Sequence, residues 1–129
     1  MITIDHKTLE SLEFPEVLEE IASFSVTELG RKSVLTILPF KKLVAIQPEL
    51  ERVKEFSASL NGENAIPNHG FEAIERELFL LNIDNSTLEI SGFRKILSIT
   101  ETTHILISFF KKYETFYIHL NTFSQRITY

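Results

Sequence analysis

The chain has 129 residues, no cysteine, eleven phenylalanines and a formal net charge of −5. The lack of cysteine excludes a disulfide scaffold, a Cys-ligated zinc or iron–sulfur site and a thiol nucleophile. Gly62 and Gly70 are the closest pair of glycines and lie eight residues apart, which excludes a phosphate-binding P-loop and a dinucleotide fingerprint, because both need glycines at shorter spacing.

Helical spacing recurs along the chain, whereas the period-two alternation of strands is not sustained. A short first helix is predicted around Thr8 and Leu9. It should stop before Pro15, because the residue that precedes a proline is pushed out of the helical region.

The clearest amphipathic helix is predicted from Phe14 to about Ser25, with Pro15 at its first helical position. Thr27 is predicted to cap the next helix, which runs from Glu28 to about Ile37. Gly30 inside that helix indicates either close packing of a neighbouring backbone or a tolerated glycine.

An apolar seam with steps of three and four residues follows, which is typical of antiparallel or coiled-coil helix pairing. We expect its helix to begin near residues 44–47, because Pro48 fits a helix only in the first turn. The seam consists of Leu43, Ile46, Leu50, Val53 and Leu60, with Ser57 in the remaining slot.

Residues 61–70 are a predicted loop, and a short helix is predicted over 71–81. Ser91 is predicted to cap a long helix over 92–113. Apolar residues occupy nearly every direction around that helix, so we expect it to be buried on most sides. Residues 114–129 are predicted to form a last helix, ending near residue 125, or a tail.

Together these elements predict one all-α domain over residues 1–129, a helical bundle of five to six helices. Its interior is expected to be packed by Phe14, Val17, Leu18, Ile21, Leu43, Ile46, Leu50, Val53, Phe93 and Leu97.

Charge is distributed in blocks, with net values of −6 over residues 1–30, +3 over 31–60, −5 over 61–90 and +3 over 91–129. A negative total argues against a nucleic-acid module in its own right. Local basic pairs are either phosphate contacts or solvated helix ends. The candidates for phosphate contact are Lys41, Lys42, Arg94, Lys95, Lys111 and Lys112.

Targeting signals are absent from the sequence. The N-terminus lacks the basic start and apolar stretch of a signal peptide. The apolar region Ile105–Phe110 is far shorter than the roughly 20 residues that span a bilayer. We therefore expect no membrane partner.

Glu101 and His104 form a Glu-x-x-His pair, of which di-iron helical bundles use two, together with two further glutamates. Only one such pair is present, and no Gly-x-Ser-x-Gly nucleophile elbow exists. No catalytic, cofactor-binding or metal-ligating residue is therefore predicted. A metal-dependent enzyme that uses Glu101 and His104 remains an alternative.

Residues 12–31 resemble the opening of a known family. The order Leu12-Glu13-Phe14 is followed by Thr27-Glu28-Leu29-Gly30-Arg31, and Pro39 comes several residues later. This pattern is similar to the N-terminal region of the Smr-bearing MutS paralogue subfamily of bacterial proteins. The resemblance implies the start of a MutS core and lever domain, in an N-terminal fragment of a longer cytoplasmic chain.

The resemblance also implies what the parent protein does. Such a parent is a homodimeric ATPase that uses ATP and magnesium, has a C-terminal endonuclease domain, and acts on branched or mismatched DNA or, in some members, on ribosomes. No position of this chain matches a catalytic residue of the family, so we expect the chain alone to be no enzyme and to hold no cofactor.

The expected partners follow from the same resemblance. Early helices of a MutS-like core pack on helices supplied later in the chain, so the remainder of its own chain is the first expected partner. We expect the isolated piece to self-associate through the helix over 92–113. The alternative is an unrelated all-α protein–protein interaction domain whose seam over residues 43–60 binds a partner helix.

Overall fold

The structure is a computed structural model that describes residues 4–62 and 64–126, and this part of the chain forms helices and no strand. The predicted all-α class is confirmed, although the described residues form seven helices instead of five or six. They are α1 (His6–Ser11), α2 (Phe14–Ser23), α3 (Glu28–Leu35), α4 (Leu43–Asn61), α5 (Glu75–Leu81), α6 (Ile90–Lys112) and α7 (Ile118–Ser124).

The chain divides into two compact units. The first comprises Met1–Pro39 and Gly70–Thr100, and the second comprises Phe40–His69 and Glu101–Tyr129. The first unit therefore holds α1, α2, α3, α5 and the beginning of α6, while the second holds α4, the rest of α6 and α7. One domain over residues 1–129 stays a prediction.

In the first unit, α2 packs on both α1 and α3. The Asp5 carboxylate caps α1 by accepting a hydrogen bond from the Thr8 amide at 2.7 Å. Hydrogen bonds from Thr8 lower the pKa of the Asp5 carboxyl. Glu13, at φ 54°, forms the joint between α1 and α2, and Pro15 follows at the helix start where its missing N–H costs nothing.

Thr27 caps α3 as predicted, because its hydroxyl accepts a hydrogen bond from the Gly30 amide at 3.0 Å. The space around Gly30 is filled by that same hydroxyl, which a Cβ would meet at 3.1 Å. Gly30 is therefore closely packed, as one of the two predicted explanations had it, but the neighbouring group is the Thr27 side chain and not a backbone.

The contact of α5 with α6 depends on Gly92, the buried residue of α6. A Cβ at Gly92 would meet Leu88 Cδ1 and Cγ at 3.0 Å and Glu77 Cγ at 3.1 Å. The buried Glu77 lies 3.7 Å from the Lys95 ammonium, which supplies the opposite charge that a buried carboxylate needs. The helix α5 begins at Glu75 instead of residue 71.

In the second unit, α4 begins at Leu43, so the prediction that Pro48 lies in the first turn is wrong. Pro48 is the sixth residue of the helix and leaves the Val44 carbonyl without its usual intrahelical donor. The helix tolerates this loss because its remaining turns propagate through Asn61.

The helix α7 packs on α4 and starts at Ile118, later than the predicted residue 114. Turns after α6 bring Tyr117 into a fully buried position. Its hydroxyl donates to the Asn64 carbonyl, and its ring lies 4.7 Å from that of Phe116 and 5.6 Å from that of Phe109. Burial is the main cause of the raised pKa of the Tyr117 hydroxyl. The end of the predicted tail, residues 127–129, lies outside the described residues.

Few of the predicted packing residues are covered. Leu18 is buried, and Phe14 and Ile46 are half-buried. The prediction that the long helix is buried on most sides is wrong for α6, where Gly92 is the one buried residue. The remaining predicted packing residues are exposed, namely Val17, Ile21, Leu43, Leu50, Val53, Phe93 and Leu97.

Candidate interaction surfaces

The six basic residues proposed as phosphate contacts lie at helix ends. Lys41 and Lys42 directly precede α4, Arg94 and Lys95 lie in the second turn of α6, and Lys111–Lys112 ends α6. Cations in the last turn of a helix interact with the partial negative charge of its C-terminus. That structural role accounts for Lys111–Lys112 but not for Lys41 and Lys42, which stand at a helix N-terminus.

A pocket of about 320 Å³ in the first unit brings Arg94 and Lys95 together with two serines of the same face of α6. Spacings of three and four residues align Ser91, Arg94 and Ser98 along that face. Hydroxyls and a guanidinium are suitable donors for an anion.

The charge of this pocket is nevertheless balanced by its own carboxylates. The Lys95 ammonium lies 3.3 Å from Glu72 and 3.7 Å from Glu77. An anion would have to compete with both carboxylates for Lys95, so Arg94 is the cation that remains available at this surface.

A second surface of the first unit is an apolar groove of about 420 Å³ at one side of α2. It is bordered by residues of α1 and by the segment that follows α3, notably Leu9, Leu18 and Leu38. The outward side of α2 is also apolar, since Val17 and Ile21 are each 49% exposed and Phe24 is 77% exposed. The first unit thus presents apolar surface on two sides of one helix.

In the second unit, Glu55 of α4 caps the N-terminus of α7. Its Oε1 accepts hydrogen bonds from the His119 amide at 2.9 Å and lies 2.8 Å from His119 Nδ1, while its Oε2 accepts from the Leu120 amide at 2.9 Å. Tyr117, at the N-cap position, makes no side-chain cap hydrogen bond. A carboxylate from another helix therefore satisfies the amides that the local sequence leaves free.

The environment of Glu55 acts on its acidity in two directions. Burial, the largest single influence, raises the pKa of the Glu55 carboxyl, but the hydrogen bonds from His119 and Leu120 together outweigh it. The pKa of Glu55 consequently lies below its ordinary value, and the carboxylate is ionised at neutral pH.

Next to this cap lies an apolar cavity of about 210 Å³, bordered by Phe56, His69, Leu106 and Phe123 among others. The Arg52 guanidinium covers the Phe123 ring at 4.3 Å and also pairs with Glu49. Its Nε is buried and has no hydrogen-bond partner among the described residues. The cavity holds no nucleophile and no pair of carboxylates.

The predicted seam of α4 lies on the side opposite to Glu55 and is exposed. Leu50 is 57% exposed, Val53 62% and Leu60 71%. The sequence prediction identified this stripe correctly as one face of one helix, but the structure supplies no covering helix from the described residues.

The alternative metal site is not formed in the described part of the chain. Glu101 and His104 are both exposed on α6. No group of three or more potential ligands among the described residues could hold a metal ion.

Sequence reasoning missed Glu55, Arg52 and Glu77. The sequence analysis singled out none of them, because each acts through a partner distant in sequence. The one available signal was the start of α7, where no Ser, Thr, Asp or Asn stands at the N-cap position.

None of the helices in the described residues is long and apolar enough to cross a membrane.

Comparison with known proteins gives one informative similarity. No protein-family model matches the chain, and no solved structure matches it. A stretch of 75 residues is 35% identical to endonuclease MutS2 of Bacillus velezensis. The matched stretch covers 58% of this chain and 10% of that relative. The chain therefore spans about a tenth of the length of the curated relative, and the similarity supports a MutS2-related region.

Proposed function

We propose that the chain is a non-catalytic helical core module of a MutS-family DNA-binding ATPase. The observation that carries this proposal is the 35% identity over 75 residues with endonuclease MutS2. In the proposal, the parent protein binds ATP and magnesium, contains the endonuclease and acts in the cytoplasm on branched or mismatched DNA or on ribosomes. This chain contributes structure to that parent.

The exposed apolar surface of the first unit supports a role as a packing module. Val17, Ile21 and Phe24 follow one another at helical spacing along α2 and its C-cap, and Leu29 of α3, the helix that packs on α2, is 49% exposed. Contiguous exposed apolar residues of this kind mark interaction sites. In the proposal, later helices of the same chain cover this side, and the parent is a homodimer.

The shifted acidities also support a structural role. The carboxyl groups of Asp5 and Glu55 have lowered pKa values because each accepts hydrogen bonds at a helix start, apart from the opposing effect of burial on Glu55. The raised pKa of Tyr117 arises mainly from its burial. Perturbed groups at an active site usually converge on a pocket, whereas these three stabilise helix ends and a core.

A second candidate function is an unrelated all-α protein–protein interaction domain. The exposed seam of α4, with Leu50, Val53 and Leu60, is the observation that favours it. The two candidates differ in what the gene encodes after this region.

The test is the coding sequence that follows codon 129. We expect the reading frame to continue into a strand followed by a Gly-rich phosphate-binding loop and a helix, the arrangement that binds nucleotide phosphates. A frame that closes without such a loop would reject the MutS-type parent and leave the interaction domain.

A further inference from the structure

The apolar seam of α4 is exposed from one end of the helix to the other. Leu43 is 75% exposed, Leu50 57%, Val53 62% and Leu60 71%, and Ile46 is half-buried. The steps of three and four residues, with the polar Ser57 in the slot between Val53 and Leu60, place these side chains in one stripe, as at the first and fourth positions of successive heptads.

The helix already has a partner on its other side. Arg52, Glu55 and Ser59 face α7 or the core beside it, and at about 100° per residue they point away from Leu50 and Val53. Pro48 also lies on the side away from the seam. Docking of α7 therefore leaves the stripe free, and both sides of α4 can be occupied at once.

We infer that this seam pairs with the same seam of a second copy of the chain, parallel and in register. The charges beside the seam carry the inference. Glu49 directly precedes Leu50, and Lys54 directly follows Val53. In a parallel coiled coil, the residue that directly precedes the first heptad position of one helix lies at position g. It contacts the residue at position e of the other helix, whose sequence number is five higher.

This rule pairs Glu49 of one copy with Lys54 of the partner subunit. Two-fold symmetry repeats the contact, so Lys54 also meets Glu49 of the partner subunit. In an antiparallel pair, flanking residues meet their own kind. In the antiparallel register that overlaps the whole seam, Glu49 would face glutamate or Phe56, and Lys54 would face lysine, Gln47 or Asn61, so neither charge would meet its opposite. Lys42 could face Glu49 only in a register that is shifted by one heptad and leaves part of the seam uncovered.

The present partners of these charges leave them accessible. Glu49 pairs with Arg52 and Lys54 lies 3.8 Å from Glu51, both three residues apart in the same helix. The Lys54 side chain is 79% exposed. An exposed pair such as Lys54–Glu51 contributes little stability. The Glu49 side chain is 45% exposed beside the more buried Arg52, so both charges remain accessible to a second helix. Parallel coiled coils of three or more helices would form the same contact between Glu49 and Lys54 of neighbouring helices.

The inference does not rest on the relation to MutS2, and its test separates the two. The 129-residue chain is examined by sedimentation equilibrium over a wide range of concentrations. We expect reversible self-association. The variants Glu49→Lys and Lys54→Glu should each associate about tenfold more weakly, because each removes two attractive contacts and creates two repulsive ones.

The mixture of the two variants, compared with each variant alone, is the decisive measurement. A Glu49→Lys chain presents two lysines beside the seam, and a Lys54→Glu chain presents two glutamates. In a parallel pair these meet as opposite charges on both sides, so the equimolar mixture should associate about as strongly as the wild type. In an antiparallel pair, where the wild type opposes like charges, each variant alone would associate as strongly as the wild type and the mixture would associate more strongly. Matched controls with the same change of charge elsewhere are Glu20→Lys in α2 and Lys32→Glu in α3, which should leave association unchanged.

Leu50→Gln tests the apolar part of the contact. Because Leu50 is 57% exposed in the single chain, its replacement should abolish association while the helical circular dichroism spectrum is kept. A chain that stays monomeric at every concentration would overturn the inference. So would association that is indifferent to Glu49→Lys and Lys54→Glu, or a mixture of these two variants that does not associate.

Discussion

Glu55 shows how one side chain can supply a helix cap that the local sequence lacks. Its two carboxylate oxygens accept hydrogen bonds from the His119 and Leu120 amides, each at 2.9 Å. Both amides belong to the first turn of α7, where the backbone donors of a helix have no partner of their own. The negative charge also lies at the positive end of the helix dipole.

Glu55→Gln should therefore detach α7 from α4. The amide side chain keeps one acceptor but places an NH₂ group against a backbone donor, so at least one charged hydrogen bond is lost. We expect a loss of about 2 kcal/mol in the free energy of unfolding at neutral pH, measured by urea denaturation. Glu51→Gln, an exchange on the same helix away from α7, should change the free energy by less than about 0.5 kcal/mol.

The same variant should alter the response to acid. The folded-state pKa of Glu55 is lowered, so its stabilisation is complete above the ordinary glutamate pKa and is lost as the pH falls through the acidic range. Asp5 has a lowered pKa as well and acts in the same direction. The difference between wild type and Glu55→Gln should shrink on acidification, and a difference that stays constant would refute the capping role.

At this scale the sequence predicts local contacts and misses distant ones. Thr27 was identified as the cap of α3 because its bonded amide is three residues away. Glu55 was not identified, because the His119 amide is 64 residues away. The start of α7 was accordingly misplaced, since no local residue marks it.

At the scale of elements, the contact of α5 with α6 is set by the absence of a side chain. Gly92 is buried, and a methyl group there would lie 3.0 Å from Leu88 and 3.1 Å from Glu77. The buried Glu77 carboxylate and its 3.7 Å partner Lys95 depend on this close approach.

Gly92→Ala should push α5 away from α6. The alanine gains up to about 1 kcal/mol of helix propensity, but crowding in a packed site costs about 1–3 kcal/mol. We expect a net destabilisation of about 1 kcal/mol in thermal or urea unfolding. Ser98→Ala, at an exposed position of α6, is the matched control and should be neutral or slightly stabilising.

A second substitution tests whether crowding against Leu88 causes the destabilisation by Gly92→Ala. Leu88 provides the nearest atoms to the added methyl group, so truncating it to alanine opens the space. Gly92→Ala should therefore cost less in a Leu88→Ala background than in the wild type. Equal costs in both backgrounds would show that crowding by Leu88 is not the reason for this glycine.

Two helix starts were readable at the scale of elements, whereas the others were misplaced. The predicted cap Ser91 lies inside α6, because that helix begins at Ile90. Pro15 and Thr27 gave the starts of α2 and α3 correctly. Pro48 misled the prediction for α4, because the rule that proline occupies a first turn was outweighed by the many hydrogen bonds of a 19-residue helix. The burial of α6 was also misjudged, because apolar composition shows that a helix can be covered but not what covers it.

At the scale of the whole molecule, the net charge of −5 opposes contact with nucleic acid by this chain alone. Among the basic residues, Lys95 is engaged by two carboxylates, and Lys111–Lys112 lies at a helix C-terminus. Lys41 and Lys42 differ from these, since they stand at the N-terminus of α4 and no carboxylate of the described residues lies within ion-pair distance.

We therefore expect Lys41 and Lys42 to contact phosphate in the longer protein of the proposal. Reversing both to glutamate should weaken binding of a branched DNA at low salt, with little change in the ATPase rate without DNA. Each lost phosphate contact lowers the slope of log affinity against log salt by about 0.9, so the slope should fall by about 2. Reversal of Lys111–Lys112 carries the same change of charge and serves as the control, with a smaller effect expected because those lysines stabilise the end of α6. Fluorescence anisotropy across a salt series measures both slopes, and equal slopes for wild type and the Lys41–Lys42 reversal would assign the DNA contacts of the parent to another part of its chain.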